Sequence, residues 1–331
     1  VDSMQMIELC SQRDSSLEHQ NKGVLDREWN YKSRLRQSLR SLRDSPRKFK
    51  NRLRIRKRFQ LLDLYLRNRW SRESILGSSG PVLSMTTQCH RLKLAFYALE
   101  SIAAGSKKPS RMILWLSDEE SCSNPPETIQ RLVARGLEIH HAEELGPHTK
   151  YYPYIDRETD MAVPMVTADD DTLYPSDFIR LLTDAYEADV STIHCFRAHR
   201  ISMSGGRLMP YNNWFPCKSK QPSHLNFLTG VSGVIYPPKY LEYLKQQGKA
   251  FTNLCPYGDD IWLSVNALRS GFKIAQVSSK PCLFPTIPRS QKQRLYDINV
   301  LSGLNQAQLR RTYSVADLQA LHNFGATIEP I

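Results

Sequence analysis

The run Met165-Val166-Thr167-Ala168 ends abruptly in three carboxylates, Asp169-Asp170-Asp171. Adjacent carboxylates repel one another, so the arrangement costs stability unless a cation sits against it. An apolar run of this length reads as a strand. Tyr174-Pro175-Ser176-Asp177 then reads as a turn and a helix start, with proline suited to the first turn. An oxygen-rich cluster of this kind suits a hard divalent ion, Mn2+ or Mg2+. A solvated acidic turn capping the next helix is the plainer reading.

The chain has 331 residues and a net charge of +12, and the charge is concentrated. From Tyr31 to Arg72 sixteen Lys and Arg face only Asp44 and Asp63, and the rest of the chain is close to neutral. In the same segment Leu35, Leu39 and Leu42, then Leu53, Ile55, Phe59, Leu61, Leu62, Leu64 and Leu66, recur at helical spacing. Pro46 is predicted to divide it into two helices. A basic amphipathic segment of this kind fits an anionic membrane surface through residues 31–72; nucleic acid is disfavoured, and an ordinary solvated face is the alternative. Residues 1–76 are thus expected to form a basic, largely helical extension. The shift at Gly77-Ser78-Ser79-Gly80-Pro81 opens the main domain, 77–331.

The seven cysteines form no C-x-x-C pair, which argues against a disulfide framework or zinc site and for a reducing compartment. No apolar run is long enough to span a bilayer, and no secretory signal is read. The expected location is cytoplasmic, with peripheral attachment to the inner membrane face.

From Val82 onward strands and helices alternate. Val82–Thr87, Met112–Leu116, Leu137–His140 and Val163–Thr167 read as strands, with helices at 91–104, 126–134 and 175–186. Ser191–Arg197 and 271–275 read as further strands, and Leu228–Pro238 as one strand punctuated by Gly230 and Gly233. This alternation predicts an α/β fold with a doubly wound, mostly parallel sheet. Ligands bind at the carboxyl ends of strands in such sheets, where Thr86, Thr87, Asp118 and the Asp triplet fall. Met209–Trp214 offers Tyr211, Trp214 and two amides, a composition that binds sugars or fills a core.

In order, Ser84-Met85-Thr86-Thr87 leading to Arg91, the D-x-D of Asp169-Asp170-Asp171, the Gly-rich Thr229–Tyr236, and Asp259-Asp260 opening a helix before Gly271-Phe272-Lys273 resemble a GT-A fold nucleotide-sugar glycosyltransferase. Ala168-Asp169-Asp170-Asp171 and Tyr257-Gly258-Asp259-Asp260-Ile261-Trp262 look, more narrowly, like bacterial surface-polysaccharide transferases. The resemblance covers about residues 80–310. It implies a GT-A-like fold, a nucleotide-sugar donor, a glycan or lipid-linked acceptor, and inversion; the basic helical extension lies outside it. By the same resemblance Asp171 and Asp169 hold the metal, and Asp260 with Asp259 alongside takes the acceptor proton. Thr86, Thr87, Arg91, Asp118, Lys150 and Asp170 line the nucleotide sugar, and Trp214, Tyr211, Gly230 and Gly233 face acceptor or sugar. A third metal ligand is not visible; His194, His199 and His224 lie in no motif. Tyr296-Asp297-Ile298-Asn299 is placed as a segment closing over the site.

Three other readings remain. An aspartyl phosphatase needs Thr or Val where Leu173 stands. A polymerase palm would carry Tyr257-Gly258-Asp259-Asp260 on a hairpin, where a helix is predicted. A non-catalytic sugar-binding protein would not need two acid clusters at strand ends.

Overall fold

The computed structural model describes residues 46–290 and 303–325. The chain divides into two units, Val1–Leu61 and Leu62–Ile331. The first helix, α1 (Pro46–Trp70), starts at the proline predicted to separate two helices; residues 31–45 lie outside the described residues. The unit boundary falls earlier than 76–77. Leu64 and Ile75 are buried, Asn68 donates to Glu100 Oε1 (3.0 Å) and the Thr128 carbonyl (2.8 Å), and Ile75 N–H donates to the Arg135 carbonyl. Residues 62–76 thus belong to the α/β unit, because one stripe of α1 finds apolar and amide partners there.

The central sheet contains β1 (Val82–Thr86), β2 (Arg111–Leu116), β3 (Leu137–His141), β4 (Met165–Asp169), β5 (Thr192–Cys195), β6 (Val234–Tyr236) and β7 (Lys273–Gln276). Their order is β7-β5-β6-β4-β1-β2-β3. β1 to β4 and β7 with β5 pair in parallel; β6 runs antiparallel to both β4 and β5. The sheet winds outward both ways from β1, as the GT-A-like, mostly parallel α/β expectation required. Order reverses between β1 and β4, where Thr86 and Asp169 stand in register. That is the topological switch point at which open sheets bind ligands.

The strand predicted at Leu228–Pro238 is broken. Asn226–Leu228 joins Ala198–Arg200 and Phe215–Pro216 in a separate three-stranded sheet, and only Val234–Tyr236 enters the main one. Ser232 (φ 73°) and Gly233 (φ 99°) turn the chain between them. For the same reason the predicted strand at Ser191–Arg197 stops at Cys195 and the chain changes sheets at Ala198.

α2 (Cys89–Ala103) follows β1, α3 (Phe178–Ala188) follows the Asp triplet, α4 (Pro238–Gln246) follows β6 and α5 (Asp259–Arg269) precedes β7. The core gathers sheet residues such as Val82, Met165 and Val234 with Tyr151, Tyr240, Phe251 and Trp262. Among the described residues no helix is long and apolar enough to cross a membrane.

A Cβ on Gly233 would lie 2.5 and 2.7 Å from Phe178 ring atoms, on a backbone at positive φ, whereas one on Gly248 (φ 57°) meets nothing within 4 Å. Gly233→Ala should therefore cost about 3 kcal/mol or more, combining overpacking with the left-handed penalty, and Gly248→Ala only about 1–2 kcal/mol. Urea unfolding of the two variants checks the difference; equal costs would contradict the packing described.

Candidate active site

β4 delivers the acid triplet and α5 delivers Asp259 and Asp260. One side chain joins them. Lys150 Nζ donates to Asp169 Oδ1 at 2.8 Å and lies 3.5 Å from Asp259 Oδ2. Burial works against its charge, but Asp169, Asp259 and Asp260 outweigh burial and hold its pKa well above the ordinary lysine value. Lys150 ends a 3-10 turn, Gly146–Lys150, whose position is fixed from below. His148 is fully buried there, 2.8 Å from Tyr151 Oη and 2.9 Å from the Cys255 carbonyl, and stacked on Phe251 at 4.1 Å. Burial lowers its pKa to about 4, so it is a neutral pin between the Lys150 turn and the loop entering α5. Sequence reading passed over it, since a lone histidine in a loop carries no spacing signal.

Asp260 turns across to the glycine loop, where Gly230 N–H donates to its Oδ1 at 2.6 Å. A Cβ on Gly230 would sit 3.2 Å from that oxygen and 3.6 Å from Lys150 Nζ. Glycine therefore lets backbone close over the acids here. Burial first, and Asp259 next, push the Asp260 carboxyl up to about 8. The acid pair opens a helix, as predicted, and not a palm hairpin.

The triplet itself is braced. Thr87 Oγ1 donates to Asp170 Oδ2, and Arg91 lies 3.3 Å from Asp170 and 3.5 Å from Asp171. Asp170 is buried; burial raises its carboxyl to about 6 against the pull of Arg91 and the Thr87 hydroxyl. Burial, then Asp169, also raises Asp171. Tyr174 Oη accepts from Asp169 N–H at 2.7 Å, and Ile287 N–H donates to the Asp171 carbonyl at 2.6 Å. A segment near the chain end thus crosses the triplet, which no local pattern announced.

The structure brings Asp169, Lys150, Asp259, Asp260 and Gly230 into one group, and Thr87, Arg91, Asp170 and Asp171 into its neighbour. Thr86 stands at the same strand end, with its hydroxyl donated to the Trp115 carbonyl at 3.1 Å. Asp118 caps a short helix, accepting from Ser121 N–H at 2.8 Å. Three residues expected to face acceptor or sugar have packing partners here. Trp214 is buried against Phe227, and its indole N–H donates to the Met209 carbonyl, because the ring fills the small sheet's core. Tyr211 packs beside it, 5.4 Å between ring centres. Gly233 makes room for Phe178 and not for a ligand. Tyr296–Asn299 lies outside the described residues.

A divalent ion fits the donor chemistry in one mode. Among the described residues no group of three His, Cys, Asp or Glu side chains makes a metal cage. His194 Nε2 lies 3.3 Å from the Asp189 carbonyl, His199 Nδ1 3.4 Å from the Trp214 carbonyl, and His224 stacks on Phe324 at 4.4 Å. Mg2+-type ions are commonly held by one or two carboxylates plus substrate phosphates, and Asp169 and Asp171 are two carboxylates that could take that part.

No protein family matches the sequence, and no curated protein matches it. Solved structures are similar in fold. Residues 1–349 of S. aureus TarS match at TM-score 0.45 and 14% identity, over 74% of this chain and 70% of that one. The same protein in complex with UDP-GlcNAc matches at TM-score 0.45 and 13% identity, over 74% of this chain and 71% of that one. CMP:2-keto-3-deoxy-manno-octonic acid synthetase complexed with CTP matches at TM-score 0.38 and 9% identity, over 69% of this chain and 100% of that one.

The Asp260 carboxyl has a folded pKa above its unfolded value of about 3.9. Its contribution to stability is full below about pH 4 and is lost as pH rises through about 8. Asp260→Asn keeps an acceptor for Gly230 and cannot ionise. Its melting temperature should exceed that of the unsubstituted protein at pH 8 by clearly more than at pH 5. An equal offset at both pH values would contradict the buried, proton-holding Asp260.

Proposed function

We propose that the chain is a metal-dependent glycosyltransferase that moves a sugar from a nucleotide-sugar donor to a saccharide or lipid-linked acceptor with inversion, in cell-surface glycan synthesis. The observation that carries this reading is the Lys150 ammonium between Asp169 and Asp259, which makes the two acid clusters one site at the switch point of the sheet.

Asp260 is the general base. The acceptor oxygen forms a bond to the donor's anomeric carbon while the bond from that carbon to the diphosphate oxygen breaks. The leaving diphosphate departs with the electron pair, and the acceptor's proton goes to an Asp260 oxygen. Gly230 N–H and Lys150 hold the carboxylate that receives it. A base whose pKa sits near 8 is well matched to a hydroxyl proton at neutral pH. Lys150 and Arg91 add positive charge beside the departing diphosphate. A divalent ion on Asp171 and Asp169 would supply further charge stabilisation for that leaving group.

Two substitutions separate the roles. Asp171→Asn is a poorer ligand for a hard cation and should remove most donor turnover, as should EDTA for the unsubstituted enzyme. Asp260→Asn should lower turnover by about 10²–10⁴-fold with donor affinity little changed, and should abolish the rise in rate between pH 6 and 8. Nucleotide-sugar hydrolysis with UDP-, GDP-, CMP- and dTDP-sugars, with and without manganese, reads both. Full activity of Asp171→Asn in EDTA would remove the metal, and loss of donor binding in Asp260→Asn would make that residue a binding group.

The membrane reading of residues 31–72 gains a surface at its carboxyl end. Leu62, Leu66 and Trp70 are exposed on α1, and Arg69 lies over the Trp70 ring at 5.1 Å. Apolar and aromatic groups flanked by arginine suit the headgroup region of an anionic bilayer, and each basic residue near it contributes about 1 kcal/mol. Truncation must stop at Leu61, because Leu64 and Ile75 are core residues of the α/β unit. In full-length protein, Leu66→Glu with Trp70→Glu should reduce sedimentation with phosphatidylglycerol vesicles, and high salt should release the unsubstituted protein. No sedimentation at low salt would contradict attachment.

A further inference from the structure

The three-stranded sheet carries an open cleft of about 640 Å³ at its edge, apart from the acid clusters. Arg200, Phe215, Lys218, Gln221 and Asn226 are among its walls, and no Asp or Glu among the described residues lines it. Arg200 Nη1 donates to Ser223 Oγ at 2.9 Å and to Asn226 Oδ1 at 3.2 Å, both neutral acceptors. Among the described residues no carboxylate pairs with it, and Lys218 beside it is exposed. The Phe215 ring is 60% exposed and pairs in register with Arg200 across the strands. The ring is thus open to contact from within the cleft it lines.

The walls are fixed. Asn226 Nδ2 donates to the Ile274 carbonyl at 2.7 Å, and Gln276 Nε2 to the Cys217 carbonyl at 2.9 Å. Cys217 and Asn226 are buried beneath the cleft. A pre-formed recess with an apolar ring and a few placed polar groups is the usual form of a ligand site. It is also tied to the acids. The strand Asn226–Leu228 runs on to Gly230, whose N–H holds Asp260. Four extended residues span no more than about 13 Å, two to three sugar units.

We propose that this cleft is a subsite for a negatively charged saccharide of the acceptor, with the Phe215 ring against a sugar face and Arg200 and Lys218 against its carboxylate or phosphate. The role expected of Trp214 thereby passes to its neighbour in sequence, whose ring points outward. The assignment to an acceptor rests on the glycosyltransferase reading; the binding does not. Planar guanidinium pairs with carboxylate or phosphate through two parallel hydrogen bonds, so the site selects charge and not sugar identity.

Hydrogen exchange on the full chain, read by mass spectrometry, tests it with three probes: trigalacturonate, inorganic tripolyphosphate and neutral maltotriose. Trigalacturonate or tripolyphosphate should slow exchange in peptides spanning Arg197–Asn226, and maltotriose should not. Protection by trigalacturonate alone assigns a carboxylated sugar; protection by both assigns anionic charge of either source. Arg200→Gln with Lys218→Gln should weaken the protecting affinity at least tenfold, and Phe215→Ala should weaken trigalacturonate more than tripolyphosphate. Protection confined to residues 31–72, equal protection by maltotriose, or no loss in the double variant would overturn the subsite. If the cleft binds and nucleotide-sugar hydrolysis is absent, the catalytic reading falls and the subsite stands.

Discussion

A single ammonium group carries the arrangement of this site. Three carboxylates of two clusters, Asp169, Asp259 and Asp260, act on Lys150, and without a cation there they would face one another in a poorly solvated recess. A buried charge that loses its partner costs several kcal/mol, so the acids and the lysine must be placed together or not at all. The fold meets this demand with parts drawn from far along the chain. β4 brings Asp169 to the switch point, α5 brings Asp259, and the neutral His148 locks the Lys150 turn to the loop between them.

The same economy of charge explains the second group. Asp170 is nearly inaccessible and is satisfied by Thr87 and Arg91, so it holds the triplet to the start of α2. Asp169 and Asp171 flank it in positions that still reach solvent. One acid of the three is thus structural, and the outer two carry the chemistry proposed for the donor end. Asp260, whose pKa burial and Asp259 raise, lies beneath the Gly230 backbone and is the group proposed for the acceptor end. A transferase needs this separation: charge stabilisation where the diphosphate leaves and a proton acceptor where the hydroxyl enters.

Much of this was legible in the chain. Short apolar runs broken by helical patterns announced β1 to β5 and β7, and the triplet at the end of Met165–Ala168 fixed one edge of the site. The helix opened by Asp259-Asp260 was read from the residues after it. What local patterns could not supply is which strands pair and in which direction. β6 runs antiparallel, and the glycine-rich stretch before it is a turn between two sheets. Gly230 and Gly233 look alike in sequence, yet one lies over carboxylates and the other against Phe178. Trp214 and Phe215 are neighbours whose rings go to opposite sides of a short strand end, and only the pairing register decides which is buried. His148, Tyr174 and the Ile287 N–H act through contacts across long stretches of chain, where spacing says nothing. The α/β unit begins at Leu62 inside α1, which runs on without a break, so no local breaker marks the place.

Both acid clusters share Lys150, and a pair of double-mutant cycles measures that coupling. Urea unfolding is compared for Lys150→Met, Asp169→Asn, Asp259→Asn and the two doubles that contain Lys150→Met. Groups in contact couple by about 0.5–3 kcal/mol, whereas independent sites add to within about 0.5 kcal/mol. Lys150→Met alone should be strongly destabilising, and each added Asn should recover part of that loss, giving coupling in both cycles. Coupling to Asp169 with strict additivity for Asp259, or additivity in both cycles, would contradict a single site.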